Sequence, residues 1–168
     1  MNSLRLNIVL RFVVLVLMQV ILFNRIDFLG YINPFVYIIF ILSYPVNNNR
    51  VLFLISTFLL GLTIDIFSDS GGVHAAACVC IAYLRPVVLK FSFGTLYEHQ
   101  TIKFSNMEFG SLFGYISILT FTHHLVLFSL EIFNMSQILL ILQKTLFSGV
   151  FTMILSLLII LLFSPKSK

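Results

Sequence analysis

Long apolar runs constrain this chain more than any other feature of its sequence. The last of them, residues 138–163, has 26 residues and a single charged side chain, Lys144. About 20 apolar residues in a helix are enough to cross the ~30 Å hydrocarbon core of a bilayer. With 60% apolar and only 10% charged residues in all, the chain is too apolar to be one small soluble domain. The sequence predicts an all-α integral membrane protein.

The apolar runs predict a single domain of residues 1–168 with six transmembrane helices, at 6–23, 28–46, 51–67, 73–90, 109–133 and 138–163. Helices are expected because the bilayer core offers the backbone no hydrogen-bond partners. The second run is short, since its apolar part at 34–46 would cover only about 20 Å as a helix. It therefore begins earlier, near Phe28, or lies shallow. We expect Pro34 in its first helical turn and Pro45 at its end.

The positions of the basic residues predict the orientation. Six crossings place both termini on one side, and we expect this side to be the cytoplasm because it then carries most of the Lys and Arg residues. The residues on this side are Arg5, Arg11, Arg50, Arg85, Lys90, Lys103, Lys166 and Lys168. Arg25 lies on the other side. Topology thus accounts for the net charge of +4, which does not indicate nucleic-acid binding.

Ionisable side chains within the predicted spans are candidates for function, because each costs about 2.5–3.5 kcal/mol at a helix centre. They are Asp65, His74, Arg85, His123, His124, Glu131 and Lys144. We expect most of them to satisfy one another across neighbouring helices, with Glu131 and Lys144 as a hairpin pair. A substrate or proton site is the alternative interpretation.

Adjacent histidines and closely spaced cysteines do not indicate a metal site or a disulfide. His123 and His124 point about 100° apart on a helix and cannot jointly hold one metal ion, so we expect interhelical hydrogen bonds. Cys78 and Cys80 face nearly opposite sides of their helix. The sequence carries no Walker loop, no G-x-S-x-G and no H-E-x-x-H. We therefore expect no enzymatic activity, no catalytic residue, no metal and no cofactor.

The turn between the third and fourth runs is the most distinctive stretch. Gly61 and Asp65 form a G-x-x-x-D pattern at the end of the third run, and Gly71 and Gly72 close the turn that follows. We expect Gly61 to allow a close helix crossing, and the Asp65 carboxylate to cap the fourth helix, meet a cation or line a groove for a partner's helix. Gly71 and Gly72 permit the positive φ angles of a tight turn.

A second glycine pair, Gly110 and Gly114, begins the fifth run as a G-x-x-x-G pattern. Such a pattern allows helices to approach closely, either within one chain or between two chains. We expect internal packing here rather than a dimer contact.

The G-x-x-x-D helix, the polar Gly turn and the small-residue helix after it resemble the rod shape-determining protein MreD family. The six predicted spans, the prolines that flank the second and the short basic tail agree with this resemblance. It implies a non-catalytic scaffold of the bacterial elongation complex in the cytoplasmic (inner) membrane. The implied partners are MreC and, through it, MreB, RodA and a penicillin-binding transpeptidase. The resemblance also implies a fold similar to the substrate-binding subunits of energy-coupling-factor vitamin transporters.

That fold similarity supplies the alternative function, a substrate-binding membrane subunit of such a transporter. A first span with small residues four apart would favour it, but residues 6–23 contain no Ala or Gly. The scaffold hypothesis instead predicts a cytoplasmic contact patch at 92–108 and an outer one at the turn between the third and fourth runs. The aromatic residues of the cytoplasmic patch, Phe93, Tyr97 and Phe104, lie either on the headgroup boundary or on a partner. The residues we single out as motif or interaction candidates are Gly61, Asp65, Gly71, Gly72, His74, Glu131 and Lys144.

Overall fold

The described residues form an all-helical bundle. The structure is a computed structural model, and it describes residues 2–26, 32–46, 49–94 and 107–163. Within these ranges the helices are α1 (Asn2–Ile21), α2 (Ile38–Leu42), α3 (Arg50–Ser68), α4 (Val73–Phe93), α5 (Phe109–Ile132) and α6 (Ile138–Phe163). Short 3-10 turns follow α1 at Phe23–Arg25 and precede α6 at Met135–Gln137.

Four of these helices, α3 to α6, are long and apolar enough to cross a membrane. The apolar part of α1, Leu6–Ile21, is shorter. Many apolar side chains of α3 and α6 point outward from the bundle, as expected where lipid rather than water surrounds the helices. Length and composition therefore define the chain as an all-helical membrane protein.

The long helices pack in chain order as antiparallel neighbours. α3 packs against α4, α4 against α5, and α5 against α6. α1 lies beside α3, and the Asn24 side-chain amide donates to Ser68 Oγ at 3.0 Å. The end of α1 therefore lies at the same end of the bundle as the turn between α3 and α4.

The second apolar run does not form the helix expected over 28–46. Residues 27–31 lie outside the described part, and only the five residues of α2 are helical within 32–46. Pro34 precedes this helix by four positions, so its expected place in a first helical turn is wrong. Pro45 does follow the helix end. We call residues 32–46 the core segment, because they fill the centre of the bundle and contact α1, α4, α5 and α6.

The fourth helix is longer than the apolar run suggested. α4 continues through Pro86 to Phe93, whose ring lies 5.6 Å from that of Tyr115. Phe93 is buried, so its expected place in a cytoplasmic contact patch is wrong. Tyr97 and Phe104 of that predicted patch lie in 95–106, outside the described residues.

Candidate functional site

The core segment is held by side chains rather than by its own helix. At its beginning, the backbone N–H of Phe35 donates to Thr152 Oγ1 at 3.0 Å, and that of Asn33 donates to Ser148 Oγ at 3.3 Å. Gln19 accepts from the Val36 N–H at 2.8 Å and donates to the Pro34 carbonyl at 3.1 Å. These bonds take the place of the intrahelical hydrogen bonds that this backbone lacks. They allow a non-helical stretch to lie within a membrane bundle.

Two side chains hold the other end of the core segment. The Arg85 guanidinium donates to the carbonyls of Leu42 and Tyr44, and its Nε donates to the Tyr115 hydroxyl at 2.8 Å. The Tyr115 hydroxyl donates to the Leu42 carbonyl at 2.9 Å. Arg85 also lies over the ring of Phe53, 5.2 Å from its centroid. Arg85 is thus buried as the cap of α2, where a helix leaves its last carbonyls without partners.

Asp65 caps the fourth helix. Its Oδ1 accepts from the His74 N–H at 3.0 Å and from Ser70 Oγ at 2.6 Å, and its Oδ2 accepts from the Ala75 N–H at 2.9 Å. Both backbone donors belong to the first turn of α4, where N–H groups have no helical acceptor. The carboxylate also lies at the positive end of the helix dipole. The structure thus agrees with the capping alternative considered for Asp65.

The glycines around Asp65 have the roles expected from the sequence. A Cβ on Gly61 would lie 2.5 Å from Ala75 Cα, so this glycine permits α3 and α4 to approach closely. Gly71 and Gly72 have φ angles of 67° and 97°. Asp69, at the end of α3, also adopts a left-handed conformation, with φ at 51°. The G-x-x-x-D stretch is therefore a tightly packed and capped hairpin.

A chain of three aromatic side chains crosses the centre of the bundle. The Tyr37 hydroxyl lies 2.7 Å from His74 Nδ1 and 2.9 Å from His123 Nε2. Tyr37 comes from the core segment, His74 from α4 and His123 from α5. Tyr37 and His123 are fully buried, and His74 is only 6% exposed. His123 Nδ1 has no hydrogen-bond partner among the described residues.

His124 belongs to a separate chain of bonds. Its Nδ1 lies 2.8 Å from the Thr120 carbonyl and its Nε2 lies 3.1 Å from Thr152 Oγ1. Because the Thr152 hydroxyl accepts from the Phe35 N–H, its own proton is available for His124 Nε2. The Thr120 carbonyl can only accept, so His124 Nδ1 carries a proton. His124 thus makes the interhelical hydrogen bond expected of it, whereas His123 bonds to Tyr37 of the core segment.

Glu131 and Lys144 form the expected pair across the α5–α6 hairpin. Lys144 Nζ lies 3.1 Å from Glu131 Oε1 and 5.4 Å from the centre of the Phe128 ring. The pair sits near the turn, and the Glu131 side chain is 44% exposed. Among the described residues, the hydrogen bonds of this pair do not extend to Asp65 or His74, so the two polar groups at this end of the bundle are not bonded to each other.

The internal packing expected of Gly110 and Gly114 is not found. A Cβ at either position would meet nothing within 4 Å among the described residues. The contacts between α4 and α5 are made instead by larger side chains, as at Arg85 and Tyr115. Cys78 and Cys80 are both free thiols.

We call the buried side chains that bond to the core segment and to the histidines the polar core. Several of its residues were not selected from the sequence. They are Gln19, Tyr37, Tyr115, Ser148 and Thr152. One signal was present in α6, where the buried residues Thr145, Ser148, Thr152 and Ser156 recur at helical spacing along one face. Such a stripe within an apolar helix indicates a polar partner in the bundle interior.

Within the described ranges, no group of three or more His, Cys, Asp or Glu side chains is arranged to hold a metal ion. No protein-family model matches the chain, and comparisons with curated proteins and with solved structures give no match either. The fold and the polar core therefore define a class, an all-helical membrane protein with a side-chain-supported core segment.

Proposed function

We propose that this protein is a non-catalytic scaffold of a bacterial elongation complex in the cytoplasmic membrane. Its partners are MreC and, through MreC, MreB, RodA and the penicillin-binding transpeptidase. The proposal rests on the resemblance carried by Gly61, Asp65 and Gly72. The contacts of these residues support it, because they build a rigid hairpin rather than a pocket for chemistry.

The observation that carries the proposal is the internal use of the charged groups. Asp65 caps α4, Arg85 binds carbonyls of the core segment, and Lys144 pairs with Glu131. Ionisable residues in transmembrane transport or catalytic sites usually line a pathway. These three instead support the bundle, which leaves mainly apolar helix faces for contact with other proteins, as in helix association within a bilayer.

The contacts also support six crossings with both termini in the cytoplasm. The core segment runs from the level of Gln19 to the level of Arg85, which places it between the two ends of the bundle. Residues 35–42 make turn and helix bonds, such as that from the Ile38 N–H to the Phe35 carbonyl, so they advance about 1.5–2.0 Å each. The other residues of the segment can cover at most about 3.3 Å each, so the segment reaches at most roughly 35 Å, more than a helix of the same length.

Site-specific photo-crosslinking in the native bacterium tests the scaffold contacts. A photoreactive phenylalanine analogue replaces the outward-facing Phe67, Phe113 and Phe151 in turn. The buried Phe128 is the matched control. We expect a cross-link to MreC from at least one outward position and none from Phe128, since only an exposed ring can reach another chain.

Depletion of the protein, followed by microscopy, tests the cellular role. We expect rod-shaped cells to lose their shape, because the elongation machinery would lose its membrane scaffold. Cells that keep their shape and require an added vitamin for growth would refute the scaffold and favour the transporter subunit.

A further inference from the structure

The Tyr37 hydroxyl has two imidazole neighbours but only one proton. It can donate to one ring nitrogen, and it must then accept from the other. One of His74 Nδ1 and His123 Nε2 therefore carries a proton while the other is bare. Two arrangements satisfy the same pair of distances, 2.7 Å and 2.9 Å. They differ only in where the protons lie.

The two ends of this series of hydrogen bonds, His74 and His123, differ in their access to the surface of the bundle. His74 lies in the first turn of α4, next to the turn at Gly71 and Gly72, and keeps a small exposed fraction. His123 is completely buried in the middle of α5, and its Nδ1 has no partner among the described residues. A buried nitrogen without a partner is costly in a structural role, by about 1–3 kcal/mol. Such a group needs a reason beyond packing.

We propose that Tyr37 relays a proton between His74, at the end of the bundle, and His123, at its centre. In the inward direction His74 begins as an imidazolium. Its Nδ1–H bond breaks as a new O–H bond forms on Tyr37, and the original Tyr37 O–H bond breaks as an N–H bond forms on His123 Nε2. The tyrosine has one proton before and after, and the positive charge has moved from one imidazole to the other.

The groups around the relay determine which of the two histidines holds a positive charge more readily. From α3, the Asp65 carboxylate binds the backbone of His74 and favours positive charge at that end. From α4, Cys78 lies beside Tyr37, and from α5, His124 neighbours His123 with ring centroids 5.4 Å apart. Glu131, paired with Lys144 at the α5–α6 turn, acts on His74 from farther away. Burial disfavours an imidazolium at both ends, but the carboxylates near His74 make positive charge less costly there than at His123, whose hydrogen bond among the described residues runs to Tyr37.

The relay does not depend on the scaffold proposal, because it follows from the hydrogen bonds of three side chains. It gives the core segment a proton-dependent link to α4 and α5. Tyr37 is the only described residue of the core segment that bonds to both histidines.

Nitrogen-15 NMR of the full chain, labelled at histidine in lipid nanodiscs, tests the proposal over a range of pH. His74→Gln and His123→Gln variants assign the two rings. In the wild type we expect the protonation of His74 to change the ring-nitrogen signals of His123 at the same pH. A His123 ring that keeps one protonation pattern while His74 titrates would overturn the relay.

Removal of the Tyr37 hydroxyl sharpens this test. In Tyr37→Phe we expect His74 to titrate alone and the response of His123 to disappear, since no group then carries the proton across. Tyr83→Phe is the matched control, because Tyr83 is exposed on α4, and it keeps the joint response. A joint response that persists in folded Tyr37→Phe would also overturn the relay. If Tyr37→Phe does not fold, the wild-type measurement decides the question alone.

Discussion

Replacement of Gly61 by alanine tests the close contact between α3 and α4. The new Cβ would lie 2.5 Å from Ala75 Cα and 2.7 Å from both the Ala75 nitrogen and the His74 carbonyl oxygen. All three atoms belong to the backbone of α4, so no side-chain rotation can relieve the clash. Overpacking of this kind costs about 1–3 kcal/mol. Alanine in a helix gains about 0.5–1 kcal/mol over glycine, which offsets part of the loss.

Gly114→Ala is the matched control for this variant. It gains the same helical preference, but its Cβ meets nothing within 4 Å. The gain in helical preference is the same in both variants and therefore cancels. Their free energies of unfolding should differ by the cost of the clash alone, about 1–3 kcal/mol. Gly61→Ala should be the less stable variant of the two.

Unfolding by a titrated denaturing detergent, followed by circular dichroism, measures both free energies. The separation of α3 from α4 in Gly61→Ala should also loosen the Asp65 cap, which joins the two helices. Equal stability of Gly61→Ala and Gly114→Ala would refute the close approach of the two helices.

Three further variants test the polar contacts with the same unfolding measurement. Asp65→Asn turns one acceptor oxygen into an amide donor facing backbone N–H groups, so we expect a loss of about 1–3 kcal/mol; wild-type stability would exclude the cap. Arg85→Lys keeps the charge but replaces the two donor nitrogens Nε and Nη2 by one ammonium nitrogen on a flexible stem, so a similar loss is expected, and an unchanged midpoint would contradict this role. Lys144→Met should cost less than about 1 kcal/mol because the Glu131 pair is partly exposed, and a larger loss would show a deeper role.

The long helices could be predicted from the sequence because their signal is local. Continuous apolar runs are sufficient to place α3 to α6, and polar residues with glycine mark the turn between α3 and α4. The roles of Gly61 and Asp65 could also be predicted, since a helical hairpin with a four-residue turn brings these positions against the start of the next helix. The six-span count and the position of the termini stay predictions.

The core segment could not be predicted, because its conformation depends on distant residues. An apolar run with prolines at 34 and 45 favours a short helix, since a backbone in a bilayer needs internal partners. The partners came instead from Gln19, Thr152 and Arg85, each on a different helix. No local pattern shows that a single Gln and a Thr on the last helix will meet.

The same reasoning explains two smaller errors. Phe93 was assigned to a surface patch because polar residues follow it, but the packing of α4 against Tyr115 extends the helix and buries the ring. Gly110 and Gly114 were assigned to internal packing from their spacing alone. The spacing indicates that a close contact is possible there, but it does not say which helix makes it.

The distance along the chain between the core segment and its supports has a consequence for biosynthesis. The Phe35 N–H binds Thr152, which is 117 residues later in the sequence. Chains emerge from the ribosome with the N-terminal part first. Phe35 therefore leaves the ribosome long before its acceptor exists. Its two hydrogen bonds to α6 form only after the last helix has been made, so they are the last of the described supports that the core segment gains.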